Sequence, residues 1–206
     1  VGIARRLTLA LTLVATLPPA QAWLLTINPG TRSVFLQVGN GSGTTAGNPA
    51  NSTGANNATI NVVSLSVPAA QLGNGTALAM TSNSTQTSSF YDGFAVCTLP
   101  QVYVGGYVRQ STGSGVLSVQ TPSGLVNASG NVIPFSQIRW TVSSNGNDNN
   151  PNIISSGTFI NNGTLTIATI PNNSWAENCH SFTYANSAVV AAGTYTGRAT
   201  YTLTAP

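Results

Sequence analysis

Lysine is absent from all 206 residues, and charge of either sign is scarce: six arginines, three carboxylates and one histidine. Recognition of nucleic acid by phosphate neutralisation needs clustered basic side chains. Arg32, Arg109, Arg139 and Arg198 are scattered, so nucleic acid is excluded as a partner. The isoelectric point near 9.2 rests on these few groups and marks no basic patch. Catalytic groups are equally sparse. Glycoside hydrolysis needs two converging carboxylates. Asp92 and Asp148 sit in the turn-like contexts Tyr91-Asp92-Gly93 and Asn147-Asp148-Asn149, leaving Glu177 alone. A Ser-His-Asp triad would have to combine His180 with Asp92 or Asp148, and no Gly-x-Ser-x-Gly elbow is present to place a nucleophile. Calcium favours several carboxylates; Asn147 to Asn150 offers one, and a polar turn is the plainer reading. The sequence therefore reads as non-enzymatic, with no cofactor and no metal.

Long apolar runs are missing too, with one exception. Arg5 and Arg6 precede residues 7–17, which are apolar apart from threonines; Pro18-Pro19 and the small-x-small tripeptide Ala20-Gln21-Ala22 follow. That run is about half of the ~20 residues a bilayer span requires. The pattern predicts a secretory signal peptide over residues 1–22, cut after Ala22. No membrane span remains after cleavage, four arginines face three carboxylates, and residues 23–206 form a single domain. Only two cysteines remain, Cys97 and Cys179. In an exported chain they most simply form one disulfide. Closing a loop of that length stabilises by roughly 4–5 kcal/mol in the chain-entropy picture. The competing reading is a metal pair of Cys179 with His180, but adjacent strand residues point to opposite faces.

What the chain does have is Thr, Val, Ile, Ser and Asn in short apolar runs bounded by Gly, Asn and Pro. That is an all-β pattern. The predicted strands cover 23–27, 33–38, 60–67, 77–81, 94–99, 102–108, 116–121, 133–138, 139–143, 157–160, 165–170, 181–184 and a terminal segment from Tyr195. Residues 39–59 read as a flexible polar insertion. Roughly ten short strands with frequent turns suggest a Greek-key β-sandwich. Trp140 alternates with Ile138 and Val142 and is expected in the core; Trp175, in Pro171-Asn-Asn-Ser-Trp175, is expected in a loop and is the best candidate for contact with a ligand. His180 is expected at a strand edge or partly buried beside the disulfide.

The terminal segment is the most regular. Tyr195, Gly197, Ala199, Tyr201, Leu203 and Ala205 share one face, and Thr196, Arg198, Thr200, Thr202 and Thr204 the other. With the preceding Ala191-Ala-Gly-Thr, this stretch resembles the final strand of bacterial chaperone–usher pilins, closest to the spore coat protein U-like, archaic and alternative branches. The resemblance implies an immunoglobulin-like sandwich short of one strand. A periplasmic chaperone lends the strand, and the N-terminal extension of the next pilus subunit replaces it. It also implies that Tyr195, Ala199, Tyr201 and Leu203 line the acceptor groove or pack in the core. Trp23, Leu25 and Ile27 would be the donor positions, although Asn28-Pro29-Gly30 cuts that run short and Pro29 cannot donate to a ladder. The expected role is an exported, adhesive or structural subunit of a fimbrium on the cell surface. The rival expectation is a self-complete secreted sandwich that binds carbohydrate or another surface ligand.

Overall fold

A computed structural model describes residues 25–26, 32–46, 60–91, 93–143, 153–205. The signal-peptide segment, Trp23, Ile27, Asp92 and Asp148 lie outside the described residues, as does the second half of the polar insertion. The chain is all-β, as expected, and its helical turns among the described residues are two short 3-10 segments.

One large antiparallel sheet carries, in spatial order, β12 (Gly157–Thr158), β11 (Ile138–Ser143), β14 (Ser174–Tyr184), β7 (Val102–Arg109), β2 (Ser33–Val38) and β3 (Gly41–Ala46). Two short strands, β1 (Leu25–Thr26) and β5 (Leu78–Ala79), add to β14 off this path. The second sheet is β13 (Gly163–Ile170), β8 (Gly115–Thr121) and β15 (Thr200–Thr204). Small ladders join β4 (Val63–Ser64) to β6 (Thr81–Ser82), and β9 (Gly124–Val126) to β10 (Val132–Pro134).

The two larger sheets enclose one core. Val34, Val104, Val108 and Trp140 reach inward from the first, and Leu117, Val119, Ile167 and Leu203 from the second. The sheet order β2-β7-β14-β11 opposite β8 and β15 parallels the A-B-E-D and C-F order of immunoglobulin sandwiches, but β13, on the other side of β8, lies between β11 and β14 in the chain, where that order has no strand. The chain crosses between the two larger sheets at β7–β8, β8–β11, β12–β13, β13–β14 and β14–β15.

Several expected strands shift. The polar insertion begins as a strand: β3 pairs with β2 from Ser33↔Ala46 to Val38↔Gly41. Its Gly-Ser-Gly-Thr-Thr-Ala sequence has no apolar alternation to announce it. The intervening turn requires Gly39, which has φ +56°, and a Cβ there would fall 1.7 Å from the Asn61 side-chain oxygen. The expected strand over 60–67 shrinks to β4, and 94–99 is irregular apart from a bridge between Ser88 and Ala95. The strand expected at 181–184 is the end of a much longer one, β14.

Candidate functional site

Two places stand out once the strands are assembled: the outer edge of β15, and the layer built on the outside of the larger sheet.

β15 pairs with β8 from Thr200↔Gln120 to Thr204↔Val116. Among the described residues no strand pairs with its other edge. The alternation read from the sequence places side chains correctly here. Leu203 and Ala205 are buried, Ala199 and Tyr201 are half-buried against the core, and the threonines face solvent. Burying Leu203 alone contributes about 1.5–3 kcal/mol. Its approach to the opposite sheet depends on Gly106, where a Cβ would meet the Phe35 carbonyl oxygen at 2.5 Å and Leu203 Cδ2 at 3.2 Å. β2 is the nearest strand of the facing sheet. Just before it, the Arg32 guanidinium donates to the Ala205 carbonyl at 3.0 Å. Three of the four groove candidates, Ala199, Tyr201 and Leu203, are thus brought together. Tyr195 is not one of them: it precedes β15, and its hydroxyl donates to the Ala191 carbonyl at 2.9 Å.

The edge of β15 also lacks the usual guards. Sheet edges are protected by charges, proline, bulges, brevity or a covering segment. β13, at the far side of the same sheet, has a register shift between Thr166 and Ala168. β12, at one edge of the larger sheet, has two residues. Thr200-Tyr-Thr-Leu-Thr has no charge, no proline and no register shift, and its threonines and aromatic favour strand pairing.

The second place rests on the outer face of β14. Trp175, Glu177 and Cys179 point outward, whereas Ala176, His180 and Phe182 point into the sandwich. The disulfide joins Cys97 to Cys179 across 82 residues, as expected from the sequence. It straps the segment before β7 over this face. The Glu177 carboxylate accepts hydrogen bonds from Ser89 Oγ at 2.8 Å, Tyr103 OH at 2.6 Å and Trp175 Nε1 at 2.9 Å. Burial, and then the neighbouring carboxylate charge, hold the Tyr103 hydroxyl well above the usual phenol range. The Tyr103 ring also covers Gly105, whose Cβ position lies 2.3 Å from the Tyr103 hydroxyl oxygen. Around this polar knot the rings of Phe35, Phe90, Tyr91, Tyr107 and Trp175 pack together.

Trp175 corrects the sequence reading. It lies in a strand and not in a loop, and at 1% exposure it has no open face for a ligand. The exposed aromatics of this layer are its neighbours Phe90 and Tyr91, and Phe94 beside them. The knot at Glu177 had no sequence signal, since a lone carboxylate in an apolar strand looks like a surface residue. Of the donor candidates, Leu25 lies in β1, whose backbone pairs with β14 at Leu25↔Trp175. Trp23 and Ile27 lie outside the described residues.

His180 is the other correction. It is fully buried in the core, against Trp140 at 6.3 Å, Phe182 at 6.2 Å and Tyr201 at 6.1 Å between ring centroids. Neither ring nitrogen has a hydrogen-bond partner. Burial pushes its pKa down to about 3, so it is a neutral imidazole at ordinary pH. It points away from Cys179 and Glu177, so the three do not form a shared site. Among the described residues no group of three His, Cys, Asp or Glu side chains could hold a metal. Compared with protein-family models, curated proteins and solved structures, the chain matches none.

Proposed function

We propose that this chain is an exported, non-enzymatic surface subunit that joins to its partners by β-strand exchange, in the manner of chaperone–usher pilins. The observation that carries the reading is the unguarded edge of β15, whose inner face already belongs to the core. In an immunoglobulin-like sandwich the strand after F pairs with that edge. Among the described residues the position is not held by any strand. An added strand would gain main-chain hydrogen bonds along 199–205 and register from its alternate side chains. At about 1 kcal/mol net per hydrogen bond, a few such bonds plus apolar burial suffice for a stable joint. The partners are a periplasmic chaperone first and other copies or related subunits afterwards. The place of action is the periplasm and then the cell surface. Trp23, Leu25 and Ile27 would serve as donor positions, which requires β1 to leave its pairing with β14.

The test is the behaviour of residues 23–206, oxidised and purified alone from a periplasm that lacks other components. Size-exclusion chromatography and a thermal melt give the readout. Degradation or polymerisation that an added donor peptide or chaperone rescues supports strand exchange. A lone monomer with one cooperative melt, indifferent to added strands, means that the sandwich completes itself, and the mechanism fails.

A further inference from the structure

Asn-Gly pairs occur at Asn40, Asn74, Asn145 and Asn162. Asn145 lies outside the described residues. A glycine after asparagine lets the backbone nitrogen approach the side-chain amide, because no Cβ stands in the way. What holds the two groups decides whether they react. Asn40 is held: its Nδ2 donates to Thr85 Oγ1 at 2.7 Å, and its Oδ1 accepts from Thr85 N at 2.9 Å and Ser84 Oγ at 3.3 Å. Asn74 is held too. Its Oδ1 accepts from Thr76 N at 2.9 Å and from Asn186 Nδ2 at 3.0 Å, and Gly75 N donates to the Asn186 carbonyl at 2.9 Å. Asn162 shares the triplet Asn-Gly-Thr with Asn74, yet it is loose. It is exposed, in the turn that enters β13, with φ +52°. Its side chain makes no hydrogen bond with any described residue. Its backbone N donates to the Pro122 carbonyl at 2.9 Å. Bonded and non-bonded pairs alternate along an antiparallel ladder. The next pair, Gly163↔Thr121, is therefore a non-bonded one, and the Gly163 N–H points away from β8. On that side β13 is the edge of its sheet. Amide and nucleophile are thus both free at Asn162-Gly163.

We propose that Asn162 is a site of spontaneous deamidation, which the fold leaves reactive while it protects Asn40 and Asn74. The site is independent of the β15 edge. The Gly163 nitrogen attacks Asn162 Cγ, and the new N–Cγ bond closes a five-membered succinimide. The Cγ–Nδ2 bond breaks, and the amide nitrogen leaves as ammonia with the proton that Gly163 N gives up. Water, the sole co-reactant, then opens the ring at either carbonyl and leaves aspartate or isoaspartate at position 162. The consequence is both electrical and local. With the predicted signal peptide removed, four arginines against three carboxylates leave a formal charge of +1, and a fourth carboxylate brings it to zero. Chains near zero net charge associate more readily. Isoaspartate also adds a backbone methylene where β13 begins its pairing with β8, at Gly163↔Thr121.

The test incubates residues 23–206, oxidised and folded, at mildly alkaline pH and samples them over time. Peptide mapping by mass spectrometry follows the conversion of each amide to acid, and enzymatic methyl labelling detects isoaspartate. A parallel sample is kept unfolded in urea. In the folded chain Asn162 should convert about tenfold or more faster than Asn40 and Asn74, the factor that breaking one or two hydrogen bonds at those sites implies. In urea the rates at Asn74 and Asn162, which share one triplet, should become equal. The product at position 162 should contain isoaspartate. Asn162→Gln, whose longer side chain closes a six-membered ring far more slowly, should remove the reaction there and leave Asn40 and Asn74 as they were. Three results would overturn the proposal: Asn162 converts no faster than Asn74 in the folded chain; its lead over Asn74 persists undiminished in urea; or its acid product contains no isoaspartate, which would mean direct hydrolysis without the Gly163 nitrogen.

Discussion

Acid should loosen this protein through one residue. His180 has no hydrogen-bond partner and is wholly enclosed by Trp140, Phe182, Tyr201 and the rest of the core. Its pKa is about 3 in the folded chain against an ordinary 6.5. Above pH 6.5 the imidazole is neutral in both states, and the pH has no leverage on it. Below pH 6.5 the unfolded chain takes up a proton that the folded chain refuses, so stability falls as pH falls. The loss continues until about pH 3, where the folded state also protonates. Each unit in that window costs about 1.4 kcal/mol, so moving from pH 7 to pH 4 removes about 3 kcal/mol. At ~2–4 °C per kcal/mol for a domain of this size, the melting midpoint should drop by roughly 6–12 °C from this source. Tyr201 is the titratable side chain in ring contact with the imidazole; burial raises its pKa, so it stays neutral throughout the range and offsets nothing. The assay is a pair of thermal melts at pH 7 and pH 4, on the parent and on His180→Phe. The substitution keeps a planar ring and removes two unpartnered nitrogens. It should shrink the acid-induced drop by the stated amount, with neutral-pH stability equal or higher. An undiminished drop in His180→Phe would show that the imidazole is not its source.

Other perturbations probe the remaining joints. Replacing Cys97 and Cys179 together by Ala releases a loop of 82 residues and should cost about 4–5 kcal/mol, read as a lower guanidinium midpoint with an unchanged slope or a slightly larger one. Gly106→Val forces a side chain between the Phe35 carbonyl and Leu203. It should destabilise by about 1–3 kcal/mol and raise amide exchange first in 199–205. Glu177→Gln can still offer one oxygen to Ser89, Tyr103 and Trp175, which all donate to the same carboxylate oxygen, but it removes the charge that strengthens the three bonds. A loss of about 1–3 kcal/mol is expected, with limited proteolysis appearing between Ser84 and Cys97. Unchanged proteolysis there would mean that the disulfide alone secures the turn.

Where one face of a strand is wet, the sequence was legible; where both faces are covered, it was not. β15 shows the first case: Leu203 and Ala205 go in, Thr202 and Thr204 go out, and the alternation could be read directly. β14 shows the second. Its inward Ala176, His180 and Phe182 meet the main core, while its outward Trp175 and Cys179 meet a second layer. With both faces buried, a strand has no polar alternation to mark its start. Asn172-Asn173-Ser174 therefore looked like the whole of a loop, when it is the turn that enters an eleven-residue strand. The aromatic layer was invisible for a related reason. Phe35, Tyr107, Trp175 and Phe90 come from distant segments, and only the strand order β2-β7-β14 brings them into one cluster. The disulfide was legible because two cysteines allow a single pairing, yet what it clamps could be known only from the packing.

The most direct test of strand exchange is amide hydrogen exchange along 199–205, before and after adding a synthetic peptide of residues 23–31. Exposed amides on the outer edge of β15 should exchange quickly in the lone chain. The peptide should slow them in an alternating pattern, and Leu25→Asp in the peptide should weaken that effect. Slow exchange throughout 199–205 without any peptide, unaltered by its addition, would contradict the account and leave a sandwich complete in itself.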